Sequence, residues 1–265
     1  MQDTRPLNEN PMKKLSYSIL LIFISLPSFS QTIINAEGLI DGKDSTILAL
    51  SFSYSGTRGN STTDQLSISP TMIFIANKNE YKILGGYGVL TQSGSKILNN
   101  GFVHLRHNYR FTSRLQSFEF YQVQFNDVLL LDKREVFGGG LRYALLNKDS
   151  LSYSINMGLM REHEVLNTLR LEPGEVYETR YFRGTFISSL KVIINKSLRL
   201  DNVTYYQPYL QDFSDYRLLN ELTITSSIND HLKILATLST RYDSKPPSAL
   251  RGLDNIVSLG INVKI

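Results

Sequence analysis

The residues with the most concentrated chemical potential are Glu162-His163-Glu164, two carboxylates flanking an imidazole, all of them metal-ligand types. In an extended chain neighbouring side chains point to opposite faces, so the two carboxylates share one side and the imidazole takes the other. A shared ion would require the chain to bend there, and a rim of solvated charges is the simpler reading. Gly138-Gly139-Gly140 resembles part of a nucleotide loop, but no GxGxxG pattern follows and no helix begins, which leaves close backbone packing or strand bending. Nucleophilic hydrolysis needs a Ser beside a His with an orienting partner. The four imidazoles, His104, His107, His163 and His231, lie in no recognisable serine signature, and the acids Glu172, Glu175, Asp212 and Asp215 are scattered. With no cysteine in the chain, thiolate metal sites and thiol nucleophiles are excluded. The expectation is therefore no catalytic residue, no metal and no cofactor, with an outer-membrane hydrolase as the least favoured alternative.

The elements that position these residues follow a two-residue period. Leu232, Ile234, Ala236, Leu238, Thr240 and Tyr242, then Val257, Leu259, Ile261, Val263 and Ile265, alternate with mostly polar neighbours. Twelve such segments are expected: 46–55, 65–76, 81–91, 102–111, 117–126, 134–144, 151–162, 180–194, 203–209, 216–228, 231–243 and 255–265. Short connections at 77–80, 112–116, 145–150, 195–202 and 230 alternate with longer ones at 56–64, 92–101, 127–133, 163–179 and 244–254. This alternation predicts an all-β, closed antiparallel transmembrane β-barrel of about twelve strands in an up-and-down meander, with tight turns at one end and longer loops at the other.

The two faces of these segments differ. One carries Leu48, Leu50, Phe52, Met72, Phe74, Phe137, Leu141, Met157 and Leu159 and no Lys or Arg, as lipid contact requires, since a midplane Arg or Lys costs about 2–4 kcal/mol. On the same parity Tyr54, Tyr216 and Tyr242 fall toward the long-loop end, and Tyr81, Tyr109, Tyr143 and Tyr153 toward the short-turn end, forming two interfacial girdles. Pro70 in mid-strand, and His107 and Glu119 on the greasy parity, fit this scheme poorly. The opposite face is polar and charged. Its candidate lumen network is Arg106, Gln122, Gln124, Arg142, Glu162, Gln207, Arg217, Glu221 and Arg241, joined by His104, Arg134, Glu164 and Arg183. Mutually neutralising pairs that fill the lumen are the first expectation, since unpaired charges in a confined site are costly, and anion selection or ligand binding is the second. A narrow pore, or none, is expected.

Residues 12–30 read as a secretory signal peptide: Met12, Lys13 and Lys14 give a positive start, an apolar stretch follows, and Ser28-Phe29-Ser30 is a small-x-small cleavage pattern before Gln31. Residues 1–11 are expected to be an upstream extension, and 31–265 the barrel. No later segment approaches the roughly 20 apolar residues of a spanning helix. Removing Arg5, Lys13 and Lys14 from 28 basic residues leaves 25, and removing Asp3 and Glu9 from 24 acidic ones leaves 22, a net charge of +3. That is too small a bias to point to nucleic acid.

Thr204-Tyr205-Tyr206-Gln207-Pro208, Asp215-Tyr216-Arg217 and Arg241-Tyr242-Asp243-Ser244-Lys245-Pro246-Pro247, followed by a closing alternating strand, are the most distinctive runs. Together with Gln122-Val123-Gln124-Phe125-Asn126 and Gly138-Gly139-Gly140-Leu141-Arg142-Tyr143, they resemble the YdiY-like family of salt-induced outer-membrane proteins, a domain of unknown function, particularly its Bacteroidota-type members. The resemblance implies a Gram-negative outer-membrane barrel and carries no catalytic residues across. The resulting expectation is a narrow, porin-like small-solute pore or envelope-stress protein in contact with outer-membrane lipid. Its alternative is a non-conducting structural barrel that docks an envelope protein through external loops such as 165–176.

Overall fold

The computed structural model describes residues 35, 37, 46–59, 62–229 and 232–263, with the side chains of 261–263 excepted. The expected upstream extension and signal peptide, His231 and Ile265 lie outside the described residues.

Every expected strand is present. They are β1 Thr46–Thr57, β2 Thr63–Ala76, β3 Asn79–Gln92, β4 Ser95–Arg110, β5 Leu115–Asn126, β6 Leu131–Lys148, β7 Leu151–Leu166, β8 Glu178–Ile193, β9 Leu198–Tyr209, β10 Asp212–Ser227, β11 Leu232–Asp243 and β12 Leu253–Val263. Each pairs antiparallel with its sequence neighbours, giving one sheet in the order β1 to β12. No described helix is long and apolar enough to cross a membrane, which says nothing of strands.

Loop lengths depart from the expected alternation: at the long-loop end 127–130 and 210–211 are no longer than the connections at the other end, and the departure is sharpest after β3. The long connection expected at 92–101 is a tight turn at Ser93 and Gly94, both at positive φ (50° and 82°), and β3 and β4 extend to meet it. Gly accepts φ > 0 freely and a two-residue turn of this hand matches strand twist, so the Ser-Gly pair is itself a hairpin signal. The longest connections are 167–177, with a short 3-10 turn at Thr168–Arg170, and 244–252. Both lie at the same end of the sheet.

Pro70 is accommodated without a bulge. Register between β2 and β3 is the same on both sides of it, Ile68 facing Tyr87 and Thr71 facing Leu84. The ladder opens across from Gly85, where a Cβ would sit 2.9 Å from the Pro70 ring, so the missing side chain makes the room. The glycine run acts similarly. A Cβ on Gly138 would come 2.7 Å from the Leu159 carbonyl, and one on Gly140 or Gly158 would strike the facing strand's backbone, so β6 and β7 approach closely there.

The sheet is strongly curled. Asn35 bonds to Tyr205 on β9 and Glu221 on β10, while Glu37, two residues on, bonds to Arg106 on β4 and Arg142 on β6. Five strand spacings in a flat sheet amount to about 24 Å, yet His104 and Arg106 on β4 and Tyr205 and Gln207 on β9 line one cavity of about 30 Å³. The inner faces of β4 and β9 must therefore converge on a common interior. Among the described residues no pairing joins β1 to β12.

The greasy face points outward as expected, but it is not free of Arg: Arg161 and Arg180 lie on the same parity toward the long-loop end, where they are exposed and their long side chains can reach water. Leu48, Leu50, Phe52, Phe137, Met157 and Leu159 are all well exposed, at 73%, 71%, 65%, 64%, 57% and 61%. So large an apolar surface needs a non-aqueous neighbour. The interior, by contrast, is built mainly of polar side chains, with a small apolar cluster of Ile187, Val203, Tyr205 and Leu219.

Candidate functional site

The interior residues form two ion clusters at different heights. Near the long-loop end Glu162, on β7, is fully buried and held by arginines from three other strands. Arg134 Nε on β6 donates to its Oε2 at 3.0 Å, Arg183 Nε on β8 to Oε1 at 3.2 Å, and Arg217 Nη1 on β10 to both oxygens at 3.1 Å. Spare guanidinium donors are used as well. Arg217 reaches Glu164 Oε1 at 3.1 Å and Asp243 Oδ2 at 2.9 Å, and Arg183 reaches Asp215 Oδ1 at 2.8 Å. The three arginines are balanced by Glu162, Glu164, Asp215 and Asp243, so the cluster is near neutral and spans the interior between β6 and β11. Planar guanidinium forks suit this role because each can serve two carboxylates at once.

Above it opens a cavity of about 250 Å³, floored by Arg183, Arg217, Arg241 and Asp243 and walled by Leu166, Pro246 and Leu250. Arg241 is paired loosely with Asp254 at 3.8 Å. Two loops form the rim of this vestibule. The backbone N–H and Oγ of Ser248 both donate to Glu175 Oε1, at 2.7 and 2.6 Å, tying 167–177 to 244–252. These bonds hold the Glu175 carboxyl below its ordinary value. Lys245, bonded to Asp212 at 2.6 Å, is correspondingly held above its own.

Below the Glu162 cluster a cavity of only about 30 Å³ is bounded by His104, Gln122, Arg106, Arg134 and Gln207. That is room for about one or two waters. His104 Nδ1 lies 2.9 Å from Gln122 Oε1, and Gln122 bonds Gln124 in turn. Toward the short-turn end Glu37 occupies the second cluster. Its side chain has no exposed surface, and its Oε1 lies 2.6 Å from Arg106 Nη2 and accepts from Asn156 Nδ2 at 2.8 Å. Oε2 accepts from Arg142 Nη1 at 3.0 Å.

The structure thus brings together Glu162 and Arg217, and separately Arg106 and Arg142. Gln122, Gln124 and Gln207 line the middle, Arg241 the vestibule, and Glu221 bonds Asn35 at 2.9 Å. Arg134, Arg183 and Glu164 prove to be central to the first cluster. Glu37 was missed altogether, because Asn35-Ala36-Glu37 has no period. The available signal was imbalance: on the neighbouring strands β3, β4 and β6, Lys82, Arg106 and Arg142 face inward near the short-turn end, where Glu80 is the inward acid those strands provide.

The alternation within Glu162-His163-Glu164 is as expected. His163 faces outward, 2.9 Å from Glu178, away from both neighbours. His107 and Glu119, the misfits on the outer face, pair with each other at 2.9 Å, and His107 stacks on Tyr81 with ring centroids 4.7 Å apart. They belong to the tyrosine level near the short turns. At the other end Tyr206, Tyr216 and Tyr242 form a row with centroids 5.7 and 5.6 Å apart, and Tyr54 bonds Asp64 at 2.7 Å. Tyr81 and Tyr143 are exposed, and Tyr109 and Tyr153 half-buried.

Fold and site define a class: a twelve-stranded antiparallel meander, curled on itself, apolar outside and ion-paired inside. The chain belongs to the family described as Protein of unknown function, DUF481, whose profile matches residues 50–265. Among solved structures it is similar to the NanC porin, with a TM-score of 0.49 and 11% identity over 83% of this chain and 100% of that one. It is also similar to the translocator domain of the autotransporter NalP from Neisseria meningitidis, with a TM-score of 0.44 and 12% identity over 85% and 90% of the two chains. No curated protein sequence matches it.

Proposed function

We propose that this protein is an outer-membrane β-barrel, exported through a cleaved signal peptide and closed by β12 against β1, whose lumen is a narrow, charge-lined constriction. One observation carries the constriction: Glu162, fully buried, is clasped by Arg134, Arg183 and Arg217 from three different strands between cavities of about 250 and 30 Å³. A lumen so filled passes small solutes slowly or only after the cluster rearranges, and resembles a packed small barrel more than an open porin. Exposed apolar side chains on alternating positions support lipid contact, and an even strand count makes β12 and β1 antiparallel neighbours. The Thr204–Pro208 and Arg241–Pro247 runs support the narrower YdiY-like, Bacteroidota-type assignment. The reading is non-enzymatic. His104, His107 and His163 are engaged with Gln122, Glu119 and Glu178, and none of these partners is a serine.

Planar-bilayer recording of refolded protein tests this. Wild type is expected to give small, infrequent steps, and Glu162→Gln larger or more frequent ones. Large steady conductance in wild type would overturn the constriction. Silence in both proteins would favour a second reading, a docking barrel that presents its loops to an envelope protein. That reading draws on Leu169, which is 92% exposed on the 167–177 loop.

A further inference from the structure

Glu37 does not belong to the wall of the fold. It lies in the segment before β1, yet its carboxylate is wholly enclosed by side chains of β4, β6 and β7. Without it, Arg106 and Arg142 have no carboxylate within ion-pair distance among the described residues. The wall around it is prepared for an anion. Arg106 is buried, lies 4.8 Å above the Phe118 ring and is braced by Nε donating to Asn108 at 2.9 Å, while Asn156 offers an amide N–H. Asn35 accepts from Tyr205 at 3.3 Å and from the Glu37 N–H at 3.1 Å, and donates to Glu221 at 2.9 Å.

We propose that Arg106, Arg142 and Asn156 form a carboxylate-binding site in the lumen, that Glu37 is its tethered occupant, and that small carboxylate solutes displace it. The inference rests on the reading of this interior as a lumen, and names the class of solute that reading leaves open. The site matches its ligand in charge and geometry. Two guanidinium groups and an amide address both oxygens of one carboxylate, and burial makes each contact stronger than it would be in water. A tethered carboxylate competes at an effective concentration in the millimolar range, so a free one binds weakly until the tether is removed.

The probe is glutarate, whose carboxylates sit on a short methylene chain like that of a glutamate side chain. Calorimetric titration of full-length refolded protein in detergent should show Glu37→Gln binding glutarate about tenfold or more tightly than wild type, with binding lost when Arg106→Gln and Arg142→Gln are added. Folded Glu37→Gln protein that takes up no glutarate, or binding that survives loss of both arginines, would overturn the site. Heat-modifiable gel migration reports folding independently, so a soluble or unfolded product counts against the barrel and not against the site. A second measurement leaves Glu37 in place. Because the chain has no cysteine, Asn35→Cys supplies a unique thiol. Its maleimide labelling should be faster in glutarate than in sodium chloride of equal ionic strength, and equal rates would rule out displacement.

Discussion

The sector from β4 to β10 and the two terminal strands obey the same alternation but differ in what their inner faces meet. In the sector the inward residues of one strand touch those of strands across the interior, as Arg217 on β10 touches Glu162 on β7, and they are buried. On β1 almost every residue is exposed on both faces, and β12 is exposed along much of its length. Strand periodicity alone does not bury a face, which needs opposite walls with long side chains of matching charge. β1 contributes Ser51, Ser53 and Ser55, too short to reach across, and Asp254 on β12 pairs with Arg241 on the neighbouring strand. Among the described residues the terminal strands carry the two edges of the sheet, which in hydrocarbon must be paired.

The largest expected difference lies at the centre of the sector. Glu162→Gln leaves Arg134, Arg183 and Arg217 around a neutral amide, and breaking a buried pair by removing one partner costs about 3–5 kcal/mol. Ser53→Ala on β1, with no contact of this kind, should change stability by less than about 0.5 kcal/mol. Urea unfolding followed by loss of the heat-modifiable band measures both. Equal effects would show that the two regions are energetically alike and that the ion cluster is incidental.

A smaller effect separates lipid from water as the neighbour of the outer face. Leu50 is 71% exposed near the middle of β1, and Leu50→Arg should cost about 2–4 kcal/mol in phospholipid vesicles if that position lies at the bilayer midplane. In a water-facing sheet the same change would cost almost nothing. An unaltered unfolding midpoint in vesicles would place β1 outside the hydrocarbon, and the contrast between edge and sector would then be one between solvated and packed protein.

Much of this was legible in the residues, and the reasons for the gaps are physical. Period-2 patterning reports which side a residue faces, so the burial of Glu162 and Arg217 and the exposure of Leu50 and Phe137 follow from the alternation. It says nothing about how far strands extend past the last apolar residue, and β3 and β4 therefore run on to the turn at Ser93 and Gly94, where a loop was expected. Nor does it report which inward charges meet. Arg106 and Arg241 look alike in sequence, yet one clasps Glu37 and the other lines the vestibule, because pairing depends on curvature and height. Glu37 was not legible because it stands outside the alternating strands, and periodicity does not report on its contacts with Arg106 and Arg142.

The smallest effect sits at the rim, where the two long loops are joined by Ser248 donating twice to Glu175. Those hydrogen bonds favour the charged carboxylate and lower its pKa from the ordinary value of 4.5. A depressed folded-state pKa means that the stabilising contact is fully present above the unfolded-state value and is lost as pH falls through the folded-state one. The loops should therefore stay joined at neutral pH and part only in acid, below about pH 4.5, the ordinary value. Spin labels on Leu169→Cys and Ala249→Cys in the cysteine-free chain would read the separation, which should widen reversibly on acidification and stay wide at every pH in Glu175→Gln. The sector below offers the matching control. Its Glu162 contacts join strands and do not involve the two rim loops, so labels on β7 and β10 should hold their distance while the rim opens. Movement at both levels together would mean that rim and lumen form one cooperative unit, and the division between packed sector and loosely held periphery would have to be redrawn.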